Sequence, residues 1–309
     1  MEVFEDLEFK RTKLKEDISI HNIITVHYFE YASDFMFSGE RHNFWELLYV
    51  DKGQAVVIAG ESTYRLNQGE MIFHKPNEFH NVSANGKTAP NLIVIAFECI
   101  SKGIKFFENK ILGLDDDDIL LLSNIISQAK SCFKSPLDDV HQKKITLKKH
   151  CDFGSLQLIK IDMEKLLILL VQKHGGYTEK RSRGVNLSTQ NNQKNELLLI
   201  NKISKYLEEN INESISFADV CVSFGCSSTR LKLLFKKHKN MGVIEYFNLC
   251  KIEAAKRMIR EESCNFSQIS QRLSFSSVHY FSRAFKKSTG LSPSEYGKSV
   301  KAKSENLII

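Results

Sequence analysis

The chain has 309 residues, of which 42% are hydrophobic and 26% charged, so it is long enough for two domains with a core each. Its net charge of +6 is concentrated at the C-terminal end, because residues 196–309 hold 18 Lys and Arg against 11 Asp and Glu. That asymmetry favours a polyanionic partner, although a solvated basic surface explains it equally well. The longest apolar run, LLILLV at 166–171, is too short to span a bilayer.

The seven cysteines are odd in number, are scattered from Cys99 to Cys264 and include no C-x-x-C pair. This distribution argues against a disulfide framework and against a thiolate zinc site, and it fits a reducing compartment. The first residues, MEVFEDLEFK, are acidic and lack an apolar h-region, so no signal peptide is predicted. We therefore expect a soluble cytoplasmic protein.

Between about residues 20 and 100 the sequence predicts a series of short β-strands. The β-rich runs NIITVHYF, FWELLYV, QAVVIA, STYRL, EMIF and NLIVIAF are separated by the turn signals DKG, AGE, NQG and NGK. Short, closely spaced strands are typical of an antiparallel barrel or sandwich. An all-β domain, either a barrel or a sandwich, is therefore expected here.

Two accessory helices are predicted after the strands, over about 115–174. DDDDILLLSNIISQAKSCF places its apolar residues on one face, and its Asp run lies where a helix N-terminus favours negative charge. FGSLQLIKIDMEKLLILLVQKH predicts a longer second helix. The polar, aperiodic segment 175–195 is predicted to be a linker between domains at 1–174 and 196–309.

The C-terminal region is helical in pattern and contains a degenerate repeat with an offset of 50 residues. FKK at 235–237 recurs at 285–287, and Ser227 matches Ser277. Each copy predicts a helix, a tight turn and a second helix that starts at a serine cap, which is the pattern of a helix-turn-helix. The sequence thus predicts an all-α domain with two such units, over about 197–241 and 263–298.

Helical periodicity separates a core face from an outward face in the second helix of each unit. The core face is formed by Leu231, Leu234 and Phe235 in the first copy, and by Phe281, Ala284 and Phe285 in the second. The outward side chains are candidate DNA-binding residues: Thr229, Lys232, Leu233, Lys236, Lys237, His279, Ser282, Arg283, Lys286 and Lys287.

These outward residues suit different parts of a DNA duplex. Arg283 can make a paired contact to a guanine edge, and His279 and Ser282 can hydrogen-bond to bases or phosphates. The apolar side chain of Leu233 on the outward face is expected either to contact a thymine methyl group or to pack against the neighbouring copy. The four lysines at the far ends of the helices are assigned to phosphates: Lys236, Lys237, Lys286 and Lys287.

The segment GVIEYFNLCKIEAAKRMIREE, between the copies, has the apolar spacing of one long helix. About 20 residues at about 1.5 Å each give about 30 Å, close to the length of one turn of B-DNA, about 34 Å. A rigid connector of that length would place both second helices on one face of the duplex, in successive major grooves.

These residues resemble the AraC/XylS family of bacterial transcription regulators. The likeness is carried by SSVHYFSRAFKKSTGLSPSEY and, more loosely, by the first copy with its FGCSS turn, and it covers about residues 197–298. The resemblance implies that bases are read by Thr229, Lys232, Leu233, Val278, His279, Ser282 and Arg283.

The sequence departs from the family pattern at a few positions. Cys221 and Ser270 replace the usual Ala of each supporting helix, and both are small enough for the helix crossing. Ser274 replaces the turn glycine of the second copy and is expected to carry strain if its φ is positive. Gly297 replaces an Arg and removes one phosphate contact or salt bridge.

The segments RHNFWELLYVDKG and YRLNQGEMIFHKPNEFHNV resemble the cupin-like sensor domain of the same family. The candidate effector-binding residues are His42, Trp45, Glu46 and His80, with Trp45 either a pocket wall or a core aromatic. His and Glu at such spacing bind a divalent metal in metal cupins, but Glu40 replaces the first His of the usual H-x-H. The incomplete set predicts a barrel with no metal or other cofactor, whose polar residues line a small-molecule pocket or are structural.

The sequence and the resemblance predict a DNA-binding transcription regulator, not an enzyme, with promoter DNA and a small-molecule effector as partners and no membrane partner. The resemblance implies an activator that contacts RNA polymerase and forms a homodimer. The helices over about 115–174 then either pair protomers or cover the barrel. Two alternatives remain: a metal-dependent cupin enzyme tethered to DNA, which needs a full ligand set, and a DNA-repair methyl acceptor, which needs an activated cysteine.

Overall fold

A computed structural model describes residues 10–175 and 188–305. Eight strands occur in the first described range: β1 Asn22–Glu30, β2 Trp45–Lys52, β3 Gln54–Ala59, β4 Ser62–Asn67, β5 Glu70–His74, β6 His80–Ala84, β7 Asn91–Glu98 and β8 Ile111–Gly113. A short 3-10 helix, Lys102–Phe107, precedes β8. Six of these strands match the predicted β-rich runs, whereas β6 and β8 were not predicted.

The strands form two antiparallel sheets. One has five strands in the order β1-β7-β2-β5-β8, and the other has three in the order β4-β3-β6. Successive side chains of a strand point to opposite faces, so β2 serves two layers. Trp45, Leu47 and Tyr49 belong to a large core on the outer face of the five-stranded sheet, whereas Leu48 and Val50 belong to the core that the two sheets share.

Helices α1 (Asp116–Cys132) and α2 (Ser155–His174) pack on that outer face and share the large core with it. Asp115 caps α1 by accepting hydrogen bonds from the backbone amides of Asp117 and Asp118. Lys173, in the last turn of α2, forms ion pairs with Asp115 and with the buried Asp118. The two helices therefore cover the sheet, which was one of the two roles expected for them.

The structure contains one disulfide, between Cys132 and Cys151, which the argument from cysteine number and spacing against a disulfide framework did not anticipate. The two cysteines are 19 residues apart and share no recognisable spacing motif. They meet because the intervening segment doubles back, with the Lys134 amide donating to the Thr146 carbonyl and the Lys148 amide donating to the Cys132 carbonyl. Long-range chain reversal of this kind has no signature in cysteine count or spacing.

The second described range is helical. Its helices are α3 Ser188–Glu209, α4 Phe217–Ser223, α5 Ser228–Lys239, α6 Val243–Arg260, α7 Phe266–Arg272, α8 Val278–Thr289 and α9 Pro293–Glu305. Helix α3 begins inside the predicted linker 175–195, so that segment ends earlier than expected. Residues 188–195 were assigned to the linker because they are polar and lack periodicity, but they form the first turns of α3. Residues 176–187 of the predicted linker, and the N-terminal residues 1–9, lie outside the described residues.

Within the described residues, the helices are all too short or too polar to cross a lipid bilayer.

Candidate nucleic-acid interface and ligand cavity

Two helix-turn-helix units are present, α4 with α5 and α7 with α8. Ser227 caps α5 by accepting from the Arg230 amide, and Ser277 caps α8 by accepting from the Tyr280 amide, as the repeat predicted. Leu231, Leu234 and Phe235 of α5 are buried in one core, and Phe281 and Phe285 of α8 in another.

The turns of the two units have the same backbone conformation but different residues. Gly225 has a φ of 56° and Ser274 a φ of 50°, both in the left-handed region. The Cβ atom of a serine disfavours this conformation, whereas glycine has no Cβ and adopts it freely. Ser274 uses its side chain, since its hydroxyl donates a hydrogen bond to the Asn212 carbonyl. The positive φ on which the expected strain depended is therefore present.

The outward faces of α5 and α8 are largely solvent-exposed. The exposed candidates are Thr229, Lys232, Leu233, Lys236, Lys237, His279, Arg283, Lys286 and Lys287, while Val278 and Ser282 are half-buried. Leu233 is 65% exposed and so does not pack against the neighbouring copy. The thymine-methyl prediction is the alternative that stays open for this residue.

Two of the candidate lysines have neighbours in the protein itself. The Lys237 ammonium lies 2.7 Å from the Glu196 carboxylate of α3, and the Lys232 ammonium lies 5.6 Å from the centre of the Phe217 ring. Both lysines remain exposed, so each side chain can exchange its partner for a phosphate at little cost.

Sequence reasoning did not include two exposed residues near the starts of the same helices, Arg230 on α5 and Tyr280 on α8. Tyr280 is 42% exposed. Each lies three residues after the capping serine, and this shared position was the available signal.

Helix α6 connects the units and has 18 residues, which gives about 27 Å at about 1.5 Å per residue. Its predicted apolar face is buried at Ile252, Ala255 and Ile259 and half-buried at Leu249. The connector is a single helix that packs against both units.

A cavity of about 510 Å³ lies between the two sheets of the N-terminal domain. His42, Glu46 and His80 line it, as predicted, but Trp45 does not. Trp45 is 5% exposed and belongs to the core under α1 and α2. Because Trp45 precedes Glu46 on β2, alternation along the strand sends its ring to the opposite face. The assignment of Trp45 to the effector pocket is therefore wrong, and its core assignment is correct.

Glu46 is at the centre of the polar part of the cavity. One of its carboxylate oxygens lies 3.5 Å from His42 Nε2, and the other lies 3.5 Å from His80 Nε2. Glu40 approaches the same His80 nitrogen at 3.9 Å. These three distances exceed the length of an ordinary hydrogen bond. The structure thus brings Glu40, which the sequence analysis counted as a missing histidine, into the same cluster as the other three residues.

The charges in this cluster influence one another. Burial alone would raise the pKa of Glu46, but the two neighbouring imidazoles outweigh it and hold that pKa far below its usual range. Burial alone would lower the pKa of His80, but the Glu46 carboxylate outweighs it and raises that pKa. Glu46 is therefore an ionised carboxylate buried in the cavity at neutral pH.

His74 is a cavity residue that the sequence analysis did not include. It pairs with Glu46 in the β2–β5 register, and its ring stacks on the His80 ring at 4.2 Å. Burial lowers the pKa of His74 and so favours its neutral form. The sequence signal was its position at the end of the strand-like run EMIFH, six residues before His80.

A buried polar cluster joins the two domains at the C-terminal end of α6. Glu30, the last residue of β1, forms ion pairs with Lys256 and Arg260 and accepts a hydrogen bond from the Tyr296 hydroxyl. Arg260 is 3% exposed and also donates to the Asn91 side-chain carbonyl of β7. Burial alone would raise the pKa of Glu30, but Lys256 and Arg260 outweigh it and lower that pKa.

The contact between domains also has an apolar part. Ala32, from the loop after β1, is buried in the same core as Phe281 and Phe285 of α8. The amide of Ala89 donates a hydrogen bond to the Glu261 carboxylate at 3.2 Å. The barrel domain therefore touches the second helix-turn-helix unit and the end of the connector.

Two family models match the chain, one in each domain. Residues 22–99 match an AraC-like ligand binding domain, and residues 220–299 match a helix-turn-helix domain. The chain belongs to the AraC family of transcription regulators. It is thus a sequence-specific DNA-binding regulator with an N-terminal ligand-binding domain, and its helix-turn-helix units and inter-sheet cavity are the parts of that family architecture.

Two relatives of the chain agree with this assignment. An uncharacterised HTH-type transcriptional regulator of Bacillus subtilis, YfiF, is 22% identical over 82% of this chain and 76% of its own length. The transcriptional activator RhaR of Mannheimia succiniciproducens is 21% identical over 90% of this chain and 93% of its own. The crystal structure of ToxT from Vibrio cholerae is 18% identical, covers 92% of this chain and 98% of its own, and aligns with a TM-score of 0.33.

Proposed function

We propose that this AraC-family regulator binds promoter DNA by inserting α5 and α8 into successive major grooves, and that a small-molecule effector in the barrel cavity controls this binding. The observation that carries the proposal is the outward exposure of Thr229, Lys232, His279 and Arg283 on helices whose opposite faces are buried. Side chains placed in this way can reach base edges without unfolding the units that hold them.

The length of α6 supports simultaneous engagement of both grooves. Its length of about 27 Å, with a helix-turn-helix packed near each end, approaches the advance of one DNA turn, about 34 Å. Base contacts fall to Arg283 and Lys232, and phosphate contacts fall to Lys236, Lys286 and Lys287.

The cluster around Glu30 supports a route by which the cavity influences DNA binding. Glu30 is on β1, the strand whose residues Thr25, His27 and Phe29 line the cavity. A ligand that shifts β1 would alter the ion pairs of Glu30 with Lys256 and Arg260 and thereby the position of the second unit. The cavity and the DNA-binding helices would then be coupled through one strand.

Further features of the proposal follow from the family. RhaR is named a transcriptional activator, and we propose activation here as well, through RNA polymerase bound beside the chain. We propose that residues 1–174 and 196–309 are the functional domains, and that the chain has no catalytic activity and acts in the cytoplasm. A homodimer is supported by the exposed apolar side chains of α2, Leu156, Leu158 and Ile161.

A gel-shift experiment tests the proposal directly. The full-length protein is titrated onto the DNA upstream of its own gene, with unrelated DNA of equal length as competitor. We expect specific binding that weakens steeply between about 50 and 200 mM salt, because lysines and arginines displace counterions from phosphates. For lysine-to-alanine substitutions on α5 or α8, the charge-matched control is Lys13→Ala, since this exposed lysine is far from both units in the sequence.

Two results would contradict the proposal. If unrelated DNA displaces the bound upstream DNA as effectively as unlabelled upstream DNA does, the protein does not recognise a sequence. If the affinity does not depend on salt, the lysines and arginines do not contact phosphates.

A further inference from the structure

Four side chains with metal-ligating atoms converge in the barrel cavity. Glu40, His42, Glu46 and His80 each offer one ligand atom, and all of these atoms lie within 4.8 Å of one another. Glu46 comes from β2 of the five-stranded sheet and His80 from β6 of the three-stranded sheet. Glu40 bridges to His80 through paired backbone hydrogen bonds of 2.9 and 3.0 Å. Both sheets therefore hold the cluster in place.

The two imidazoles are fixed with the same nitrogen facing the cluster. His42 Nδ1 lies 3.1 Å from the Phe44 carbonyl oxygen, and His80 Nδ1 lies 3.0 Å from the Glu78 carbonyl oxygen. A carbonyl oxygen only accepts, so each Nδ1 carries the hydrogen and each Nε2 of a neutral ring presents a lone pair. Backbone carbonyls orient the histidine ligands of metal sites in this same way.

Two imidazole nitrogens and one carboxylate face one another at the centre of the cluster. His42 Nε2 and His80 Nε2 are buried and have no hydrogen-bond partner, and the side chain of His80 is only 4% exposed. Between them lies the Glu46 carboxylate, 3.5 Å from each nitrogen and itself 9% exposed. A buried carboxylate between two buried nitrogens favours a positive charge among them, and a bound metal ion supplies one.

The spacing suits a metal ion better than a proton. A proton shared by nitrogen and oxygen draws the two atoms to hydrogen-bond distance, about 2.7–3.2 Å. Ligand atoms on a tetrahedral metal, each about 2.0–2.1 Å from the ion, are separated by about 3.3 Å. The observed separation of 3.5 Å is close to the latter value.

We propose that the barrel cavity binds one divalent first-row transition-metal ion through His42 Nε2, His80 Nε2 and the Glu46 carboxylate, with Glu40 as a fourth ligand. Imidazole nitrogens favour such ions over Mg²⁺ and Ca²⁺, which take oxygen ligands. Glu40 has a half-exposed side chain at the cluster's edge, so its position is the one that solvent or an effector can share. This proposal opposes the sequence-based prediction of a metal-free barrel.

The test uses the full-length protein, stripped with a chelator and then titrated with Co²⁺ and, separately, Zn²⁺. Calorimetry gives the stoichiometry and affinity, and the visible absorption of bound Co²⁺ reports its coordination. We expect one equivalent of metal, and at least a tenfold loss of affinity in His80→Ala and in Glu46→Gln. Glu40→Gln is expected to have a smaller effect.

Matched controls are His21→Ala and Glu61→Gln, which alter an exposed histidine and an exposed glutamate outside the cavity. Both should bind metal like the unchanged protein. Circular dichroism establishes that each variant folds, and Glu40→Gln serves as the second variant if burial makes Glu46→Gln unstable. No binding to the unchanged protein, or equal affinity in the cavity variants and the controls, would overturn the proposal. A gel shift of the same samples reports DNA binding separately, so a failed metal site and a failed regulator are distinguishable.

Discussion

The two helix-turn-helix units follow one sequence pattern but have different surroundings. The core of the first unit contains residues of α3 to α6, such as Ile203 and Phe235, whereas the core of the second unit also contains Ala32 of the barrel domain. The ion pairs of Glu30 lie at the same end of the connector. The repeat therefore provides two similar outward-facing helices, and among the described residues the core that includes a side chain of the barrel domain is that of the second unit.

Removing a core side chain from either recognition helix is expected to have the largest effect. Phe281→Ala should lower the free energy of unfolding by about 3–5 kcal/mol, and the matched Leu231→Ala by about 2–5 kcal/mol, because both side chains are fully buried. Urea unfolding of the full chain measures both. Tyr280→Ala is the exposed control on α8, and a loss as large as that of Phe281→Ala would show that the two faces are misassigned.

Breaking the polar cluster between the domains should affect only the second unit. Arg260→Met removes one ion pair of Glu30, which keeps Lys256 and Tyr296, and takes the buried donor away from the Asn91 side-chain oxygen. It should weaken the contact by about 3 kcal/mol. Hydrogen exchange should then accelerate in β1 and at the end of α6 and remain unchanged in α5. Arg257→Met, a half-buried arginine on the same helix, is the control. If hydrogen exchange accelerates equally in both units, the contact with the barrel domain does not act on the second unit alone.

Acidification tests the same contact, because the pKa of Glu30 is lowered in the folded protein. A lowered pKa means that the contact is fully stable above the ordinary glutamate range and loses stability as the pH falls through the lower, folded value. Exchange protection at the contact should therefore persist down to about pH 4 and decline below it. In Glu30→Gln this decline should disappear, and an unchanged decline would assign it to another group.

The reading faces are tested by a pair of substitutions on α8. Arg283→Ala should reduce discrimination against unrelated DNA by about 1–3 kcal/mol, because a base contact is lost. Lys287→Ala should weaken binding to all DNA about equally and lower the salt dependence, because a phosphate contact is lost. Competition gel shifts measure both quantities. If Arg283→Ala leaves competition by unrelated DNA unchanged, the assigned face is wrong.

The smallest expected effects concern the two turns. Gly225→Ala places a Cβ on a residue with a φ of 56° and should cost about 1 kcal/mol. Ser274→Gly relieves the same conformation in the second unit but loses the hydrogen bond to Asn212, so a gain below about 1 kcal/mol is expected. Thermal unfolding compares them. Destabilisation by Ser274→Gly as large as that by Gly225→Ala would mean that the hydroxyl outweighs the strain.

Local patterns were sufficient to predict much of the fold. The serine caps at Ser227 and Ser277 and the apolar stripe with Phe281 and Phe285 depend on residues close in sequence. Both accessory helices were predicted for the same reason. The short strand β8 was not, since its three residues, Ile111–Gly113, are held by pairing with β5.

Features that depend on distant residues were missed. Cys132 meets Cys151 through a chain reversal, and Glu30 meets Arg260 across 230 positions. Glu40 was counted as a departure from a motif, yet folding brings its carboxylate beside His80. Trp45 was left either in the core or in the pocket wall and was included among the effector-binding candidates, and strand alternation places it in the core. The spacing of residues in the sequence does not show which distant side chains meet in the folded chain.

Hydroxyl-radical footprinting of the full chain on its upstream DNA tests most directly whether both units read one duplex together. If both units bind together, we expect two protected segments per bound chain on one face of the DNA helix, separated by about 10 base pairs. Lys232→Ala should weaken protection in one segment, and Arg283→Ala in the other. A single protected segment that is insensitive to Lys232→Ala would contradict the account.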